Sequence, residues 1–277
     1  MTAFKTKISF FLLILAAPLF AQLPAAFSLP SYFSAAIVKQ DLVARRANAN
    51  FYRGLVAAYK LDETSGDRSS SYGAANTLTD NNTVASSGTS KWGNSADFEL
   101  DNSEYLSIAD NADFSGSNVD LTFAVWAQLE TKAASGTNQI ISKFLTTGNQ
   151  REYNLAYSQA SDRFVFTVSA TGTSTVTSVT ASSLGSPSTA TWYMIIVWHD
   201  AANDVIGIQV NNGTANTAAH TTGVFDGTAA FHLGAGGTVA NFYDGLMDNV
   251  FFWKNRVLSD GEKTRLYNAG AGLNFPF

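Results

Sequence analysis

From Gly54 to the end of the chain, apolar and polar residues alternate in short segments that are separated by Gly, Asn, Asp and Ser. Alternation with a period of two is typical of strands that bury one face, so these segments predict strands. Leu121–Leu129 alternates most cleanly and is predicted to be a central strand, while residues 192–198 are predicted to pair with Val205–Val210. About a dozen such segments and a single late helical pattern predict an all-β fold, a two-sheet antiparallel jelly-roll sandwich.

Two local predictions concern the first part of this region. Residues 96–100 and 104–108 are predicted to form a hairpin around Asp101, Asn102 and Ser103, because these are turn-forming residues between two alternating segments. The segment 80–93 is rich in Ser, Gly and Asn and is predicted to be a loop. No seam rich in Gly and Pro follows, so residues 54–277 are predicted to be one domain.

The N-terminus has the pattern of a secretory signal peptide. Lys5 and Lys7 precede an apolar run at residues 8–17, and cleavage is predicted after Ala21, which would make the protein secreted or displayed on a cell or virion surface. The alternative is a retained hydrophobic anchor, because no charged residue occurs between Ile8 and Val38. Residues 1–21 are therefore predicted to be a signal peptide or an anchor.

Residues 22–53 are predicted to be a linker or attachment arm that is partly helical, over about residues 32–48. This segment is locally basic, with Lys39, Arg45, Arg46 and Arg53 against the single acid Asp41. One interpretation is a solvated connector. The other is an element that attaches to a membrane or to an assembly, including other copies of the chain, so that membrane contact is expected only through residues 1–53.

Composition excludes several kinds of chemistry. The chain has no cysteine, so it can form neither disulfides nor thiolate metal sites, and it has no Cys nucleophile. The net charge is −5 and no stripe of Lys and Arg is present, so no nucleic-acid partner is expected. No G-x-S-x-G motif occurs, and the sequence predicts no catalytic residues of the serine-hydrolase kind.

One acid lies inside an apolar and aromatic run. Asp248 is surrounded by Leu246, Met247, Val250, Phe251 and Phe252 in a segment that is predicted to be a buried strand. A buried carboxylate costs several kcal/mol unless a metal, a cation or backbone donors compensate its charge. Asp248 is therefore predicted either to bind a metal ion or to accept hydrogen bonds from backbone amides at the edge of a strand.

Four ordered blocks of the sequence resemble the laminin-G-like members of the concanavalin A-like lectin/glucanase superfamily. The last block contains Asp244-Gly245-Leu246-Met247-Asp248-Asn249-Val250 followed by Val257-Leu258-Ser259 and Leu266-Tyr267-Asn268. The four blocks are residues 54–66, 96–126, 192–213 and 233–268. The resemblance implies a two-sheet jelly roll, and it leaves the function open among lectins, adhesion modules, glycosidases and virion surface proteins.

The resemblance also implies a structural calcium ion. In this family the acid that matches Asp248 often helps to bind Ca²⁺ together with an acid near the first strand, which is Asp62 here; Glu63 and Asp244 are further candidates. Calcium requires six to eight oxygen ligands. The predicted metal ligands are Asp248 and Asp62, and the predicted cofactor is a structural Ca²⁺.

We interpret the domain as a non-catalytic recognition module that binds a glycan or a glycosylated surface. Trp92 lies in a loop and is the predicted ligand contact, whereas Trp126, Trp198 and Trp253 lie in strands and are expected in the core. The alternative is a structural or adhesion protein of a virion or surface filament. A glycosidase is a third interpretation, because Glu99-Leu100-Asp101-Asn102-Ser103-Glu104 resembles the E-x-D-x-x-E strand of retaining glucanases, although its Asn102-Ser103 pair favours a turn.

Overall fold

The computed structural model describes residues 49–73 and 75–277. Residues 51–277 form one compact unit. The predicted signal peptide or anchor and the predicted helix at about residues 32–48 lie outside the described residues. No helix in the described part of the chain is long and apolar enough to cross a membrane.

Fifteen strands and one α-helix follow one another along this unit. They are β1 Leu55–Tyr59, β2 Thr79–Asn81, β3 Ala85–Ser87, β4 Ser95–Phe98, β5 Tyr105–Ile108, β6 Leu121–Leu129, β7 Thr137–Leu145, β8 Gln150–Ser158, β9 Arg163–Ser169, β10 Val176–Thr180, β11 Trp192–Asp200, β12 Val205–Val210, β13 Asn216–Ala219, β14 Phe231–Leu233, β15 Gly245–Lys254 and α1 Asp260–Tyr267.

The strands form two antiparallel sheets. The eight-stranded sheet has the order β13-β12-β11-β6-β15-β4-β3, and β1 pairs with the second half of β15. The seven-stranded sheet has the order β10-β9-β8-β7-β14-β5-β2. The predicted all-β sandwich is confirmed, as are the central place of β6 and the pairing of β11 with β12.

The main core lies between the two sheets. On β6, Phe123, Val125 and Ala127 point into it, and on β8, Tyr153 and Leu155 do so from the opposite sheet. The residues between them point away from the core, towards what we call the outer face of each sheet. Each large apolar side chain buried in this way contributes roughly 1.5–3 kcal/mol to the free energy of folding.

A second apolar cluster covers part of the outer face of the eight-stranded sheet. It contains Trp126, Trp198 and Trp253, which are buried as predicted, together with Phe51 and Leu266 of α1. We call it the aromatic cluster. The C-terminal residues Leu273, Phe275 and Phe277 pack against it, so both the start and the end of the domain help to cover this face.

The helix that contributes to the aromatic cluster has well-defined ends. Ser259 accepts a hydrogen bond from the backbone N–H of Glu262, and the carboxylate of Glu262 accepts one from the backbone N–H of Ser259, which forms a capping box. Asn268 ends the helix in the left-handed conformation. These caps fix the helix over the sheet, where Leu266 is buried.

The predicted hairpin at residues 96–108 is wrong. β4 pairs with β15 and β3 in one sheet, whereas β5 pairs with β14 and β2 in the other. A 3-10 turn at Leu100–Asn102 and a left-handed Ser103 carry the chain between the sheets. Phe98 and Leu106 both point into the main core, and burying both is achieved by an arch between the layers.

The predicted loop at residues 80–93 is also only partly correct, because it contains β3 and the end of β2. Both strands have three residues and pair with only one neighbour. Strands this short, at the sheet edges and with half-buried polar side chains, carry too little alternation to be recognised in the sequence.

Candidate functional site

A row of polar side chains crosses the outer face of the seven-stranded sheet. The strand register places Ser107 opposite His232, His232 opposite Ser142, and Ser142 opposite Asn154. The same row continues to both edges of the sheet. Its members, which we call the polar row, are Thr79, Ser107, His232, Ser142, Asn154, Thr167 and Ser178.

Two acceptors in the polar row have no donor among residues 49–73 and 75–277. Ser142 is fully buried, and within these residues neither its Oγ nor the shielded Oδ1 of Asn154 has a hydrogen-bond partner. Thr167 and Ser178 share a hydrogen bond of 2.8 Å at the exposed end of the row. Buried polar atoms without partners are rare in folded proteins, so these oxygens are positions where an added donor would be stabilising.

A loop of residues 234–242, which we call the glycine loop, crosses the middle of this face. A Cβ on Gly237 would meet the backbone carbonyl of Phe144, so the chain can pass this close to β7 only with glycine at this position. The carbonyl of Gly236 lies 3.2 Å from Nδ1 of His232. The glycine loop therefore covers the centre of the polar row and leaves its half on β8, β9 and β10 accessible.

Aromatic rings border the covered half. The ring of Tyr105 contacts that of His232 edge-on at 5.3 Å and lies 6.2 Å from the ring of Phe242. At the tip of the glycine loop, Val239 has φ = 53° and is 44% exposed. A β-branched residue in the left-handed region is an outlier of the kind that marks functional loops. These side chains give the covered half of the polar row an apolar border.

The three site residues predicted from the sequence come together elsewhere, around the loop at residues 91–94. Oδ2 of Asp248 accepts hydrogen bonds from the backbone N–H groups of Lys91 (2.7 Å) and Trp92 (2.9 Å). Oδ1 of Asp62 accepts one from the N–H of Asn94 (2.9 Å). Asp62, Asp248 and Trp92 therefore meet on the outer face of the eight-stranded sheet, on the opposite side of the sandwich from the polar row.

A β-bulge explains how Asp248 is held there. The register of β15 with β6 shifts after Asp248, and Asn249 adopts φ = 47°. Asn tolerates this left-handed conformation, and its Nδ2 donates to Oδ1 of Asp248 at 2.8 Å. Burial raises the pKa of Asp248 to about 7, although the amides of Trp92 and Lys91 oppose the shift and the charge of Asp62 adds to it.

The arrangement of Asp62 and Asp248 corresponds to the predicted alternative of backbone donors. Both oxygens of Asp248 already accept hydrogen bonds, and Oδ2 of Asp62 forms an ion pair of 2.6 Å with Lys60. Calcium would need these oxygens and several more, so these two residues as arranged do not fit the ion. The calcium prediction stays a prediction, and chelation is its test.

The other predicted calcium candidates are used differently. Oε1 of Glu63 accepts a hydrogen bond from the N–H of Ser69 at 2.8 Å. Asp244 directly precedes β15, and its carboxylate accepts hydrogen bonds from the N–H of Leu100 and the hydroxyl of Thr131. Neither acid is directed towards Asp248 by these contacts.

An acidic cluster that was not predicted lies near Asp244. One carboxylate oxygen each from Asp97, Glu99 and Glu130 lie within 4.8 Å of one another. Burial raises the pKa values of all three, and the charge of Asp244 raises each of them further; the charge of Asp97 also raises those of Glu99 and Glu130. Asp97 lies on β4 and Glu99 directly follows that strand, whereas Glu130 directly follows β6. The two strands are the neighbours of β15 on either side, and only the fold brings the three carboxylates together.

Glu104, the second carboxylate of the glucanase-like segment, has a structural role. It is buried, and its oxygens accept hydrogen bonds from the backbone N–H of Glu99 (3.0 Å) and the side chain of Asn102 (3.1 Å). These bonds close the arch between β4 and β5. The carboxylate therefore holds a turn, and it is not presented to a cleft in the way that a general acid requires.

The two packed antiparallel sheets, the arch between them and the bulge in β15 define a lectin-like β-sandwich. A family model described as the concanavalin A-like lectin/glucanases superfamily, of the laminin-G type, matches residues 100–262. The match covers more than half of the chain, and the chain belongs to this family. The resemblance inferred from the four sequence blocks is thereby confirmed.

Solved structures with the same fold include domain 4 of an extracellular arabinanase from Geobacillus stearothermophilus, in complex with arabinotriose. It is 16% identical, with a TM-score of 0.53, and the match covers 79% of this chain and 98% of that domain. The binding domain of Paraclostridial Mosquitocidal Protein 1 is 11% identical, with a TM-score of 0.61 and coverage of 78% and 52%.

A third similar structure is botulinum neurotoxin type C, described as entering cells through interaction with two ganglioside molecules. It is 9% identical, with a TM-score of 0.57 and coverage of 78% and 51%. The chain thus spans about half the length of these toxin domains. Identities this low establish the fold alone. A search of curated proteins finds no match.

Proposed function

We propose that the domain is a non-catalytic glycan-binding module whose ligand lies on the outer face of the seven-stranded sheet. The proposal rests on the accessible half of the polar row, which contains Asn154, Thr167 and Ser178. The exported or surface-displayed setting expected from residues 1–21 is part of the same proposal.

The chemistry of this face matches that of a sugar. Saccharides present hydroxyl groups that donate and accept hydrogen bonds, and the row offers hydroxyl and amide groups at strand spacing, about 4.7–4.9 Å apart. The hydroxyls of Thr167 and Ser178, at the exposed end of the row, can both donate to and accept from a ligand hydroxyl, and the half-buried Asn154 lies beside them. Tyr105 and Phe242 add aromatic surface at the other side of the glycine loop.

The fold comparisons support the same proposal without specifying a ligand. The arabinanase domain was solved with arabinotriose, and the botulinum neurotoxin is described as depending on gangliosides. Both facts concern those proteins. For this chain they favour a carbohydrate among the ligands that a polar sheet face could bind.

The test is a screen of the purified protein against immobilised glycans, followed by titration of the glycans that bind. We expect Asn154→Ala and Thr167→Ala each to weaken binding about tenfold, because each removes a group that would contact the ligand. The matched control is Gln209→Ala, a half-buried residue of β12 whose main-chain neighbours Ile208 and Val210 point into the core.

Trp92→Ala distinguishes the predicted loop contact from the polar row. Trp92 is 40% exposed and lies on the opposite side of the sandwich. Loss of binding in this variant, with retention in Asn154→Ala, would move the site to the loop at residues 91–94. Absence of binding to any glycan by the unaltered protein would overturn the proposed function.

A further inference from the structure

In the described part of the chain, most of the face that carries the polar row has no Lys or Arg. Residues 164–253 contain neither Lys nor Arg. This stretch includes all of β10 and β14, the glycine loop, and all of β9 except its first residue. Among the members of the polar row, only His232 has an ionisable side chain, and burial lowers its pKa.

On the neighbouring strands β8 and β9, the two basic residues Arg151 and Arg163 are distant from the accessible half and already form hydrogen bonds. Arg163 lies four positions along β9 from Thr167, which is about 13 Å at strand spacing. Its Nη1 donates to the carbonyl of Asp162 at 2.8 Å. Arg151 lies three positions along β8 from Asn154, about 10 Å away, and its Nη1 bonds with Asn149 and with the carbonyl of Gly172.

Lys143 is unavailable for a different reason. Its side chain is fully buried, and its Nζ pairs with Glu152, with Asp110 at 2.8 Å, and with the carbonyl of Gly227 at 3.0 Å. Glu152 is equally buried and accepts hydrogen bonds from the N–H groups of Gly116 and Gly227. Glu152 and Asp110 thus compensate the positive charge of Lys143, so this charge is not available to a ligand.

We infer that the polar row selects uncharged saccharides over sialylated or sulfated ones, an inference that rests on the proposed function. An anionic sugar would have to give up hydration of its carboxylate or sulfate without gaining a cation, and an unpaired charge costs several kcal/mol. The chain carries a net charge of −5, which also opposes the approach of an anion. A neutral sugar meets neither cost.

The experiment compares matched pairs of glycans that differ only in their charge, such as lactose with sialyllactose and unsulfated with sulfated oligosaccharides of one backbone. Binding is measured by calorimetry at about 0.05 M and about 0.5 M NaCl, a range over which screening removes most surface electrostatics. We expect the neutral member of a pair to bind about tenfold more tightly or better, with an affinity that salt changes less than about twofold.

Two variants each add one positive charge, the first to the outer face of the seven-stranded sheet and the second to that of the eight-stranded sheet. Thr167→Lys places a cation in the polar row, and Gln209→Lys places one on the other sheet as a control. Thr167→Lys should narrow or reverse the preference for the neutral member, and Gln209→Lys should leave it unchanged. Circular dichroism of both variants establishes that they fold.

The outcomes separate this inference from the proposed function. Tight binding of only the anionic members, or an affinity that falls steeply with salt, would overturn the inference and leave glycan binding in place. An equal response to Thr167→Lys and Gln209→Lys would also overturn it, because the row would then not face the ligand. Absence of binding to every glycan would overturn the proposed function itself.

Discussion

The outer faces of the two sheets differ although both belong to strands of similar length. On the eight-stranded sheet, β6 and most of β11 and β15 are buried on both sides, because the aromatic cluster covers their outer residues. On the seven-stranded sheet, β8 and β9 bury one side and carry half-buried polar residues on the other. One face is therefore used mostly for packing, and the other carries a continuous row of polar side chains.

If the proposed function holds, this difference separates side chains that stabilise the fold from side chains that contact the ligand. Side chains of the aromatic cluster lie between a sheet and the two ends of the domain, so removing one leaves a cavity. Side chains in the accessible half of the polar row border solvent, so removing one changes few contacts within the fold. The predictions below test this division, from the largest expected effect to the smallest.

Trp253→Ala should be severely destabilising, while Thr167→Ala should not be. Trp253 is fully buried, stacks on Phe277 at 6.4 Å, and donates from its indole nitrogen to the carbonyl of Phe51 at 2.7 Å. We expect a loss of about 3–5 kcal/mol for Trp253→Ala. Thr167→Ala should change the free energy of unfolding by less than about 0.5 kcal/mol. Urea unfolding measures both, and similar losses would contradict the division.

Stability should fall as the pH rises through neutrality. Burial raises the pKa of Asp248 to about 7, above the value of about 3.9 for an unfolded chain. The stabilisation is complete below the unfolded pKa and is lost as the pH rises through the folded pKa. Burial also raises the pKa of Glu152 to about 7, with the same sign. We expect Tm to fall by at least several degrees between pH 5 and pH 8.

Asp248→Asn should reduce this pH dependence without abolishing it, because Glu152 still titrates. The amide oxygen of Asn can accept the hydrogen bonds from Lys91 and Trp92. Asp101→Asn is the control, since Asp101 is exposed. If Asp248→Asn and the unaltered protein lost Tm equally between pH 5 and pH 8, the titration would belong to another group.

The smallest effect expected is that of metal removal. The oxygens of Asp248 and Asp62 already have donors from the chain, so EDTA should change Tm by less than about 1 °C. Adding Ca²⁺ to chelated protein should likewise have little effect. A drop of several degrees with EDTA that Ca²⁺ reverses would instead support the predicted calcium ion, with the amides and Lys60 displaced.

Strands with strong periodicity could be predicted, and features that depend on distant contacts could not. Leu121–Leu129 is long and apolar, so its place at the centre of a sheet followed from its pattern. The pairing of residues 192–198 with Val205–Val210 followed in the same way. The burial of Asp248 was predicted for the same reason. Its partners Lys91 and Trp92 lie more than 150 residues away, and only the path of the loop brings them there.

The errors have a common physical origin. A turn does form at Asp101, Asn102 and Ser103. The sequence does not determine whether such a turn joins two strands of one sheet or connects two different sheets. The polar row was missed because each member looks ordinary in its own strand. Ser142 and Asn154 become a site only through register, since opposite positions on neighbouring strands share a face.

The rings of Phe51 and Phe277 are in contact, with centroids 4.7 Å apart, so the two ends of the sandwich lie side by side. Domains whose ends lie close together tolerate insertion into a host protein and circular permutation. A short linker from residue 277 back to residue 51, with new ends at the turn of Thr147–Asn149, would alter the order of the strands without altering their neighbours. The lectin-like sandwich is therefore suited to insertion into a host protein, with its polar row on the face opposite the point of attachment.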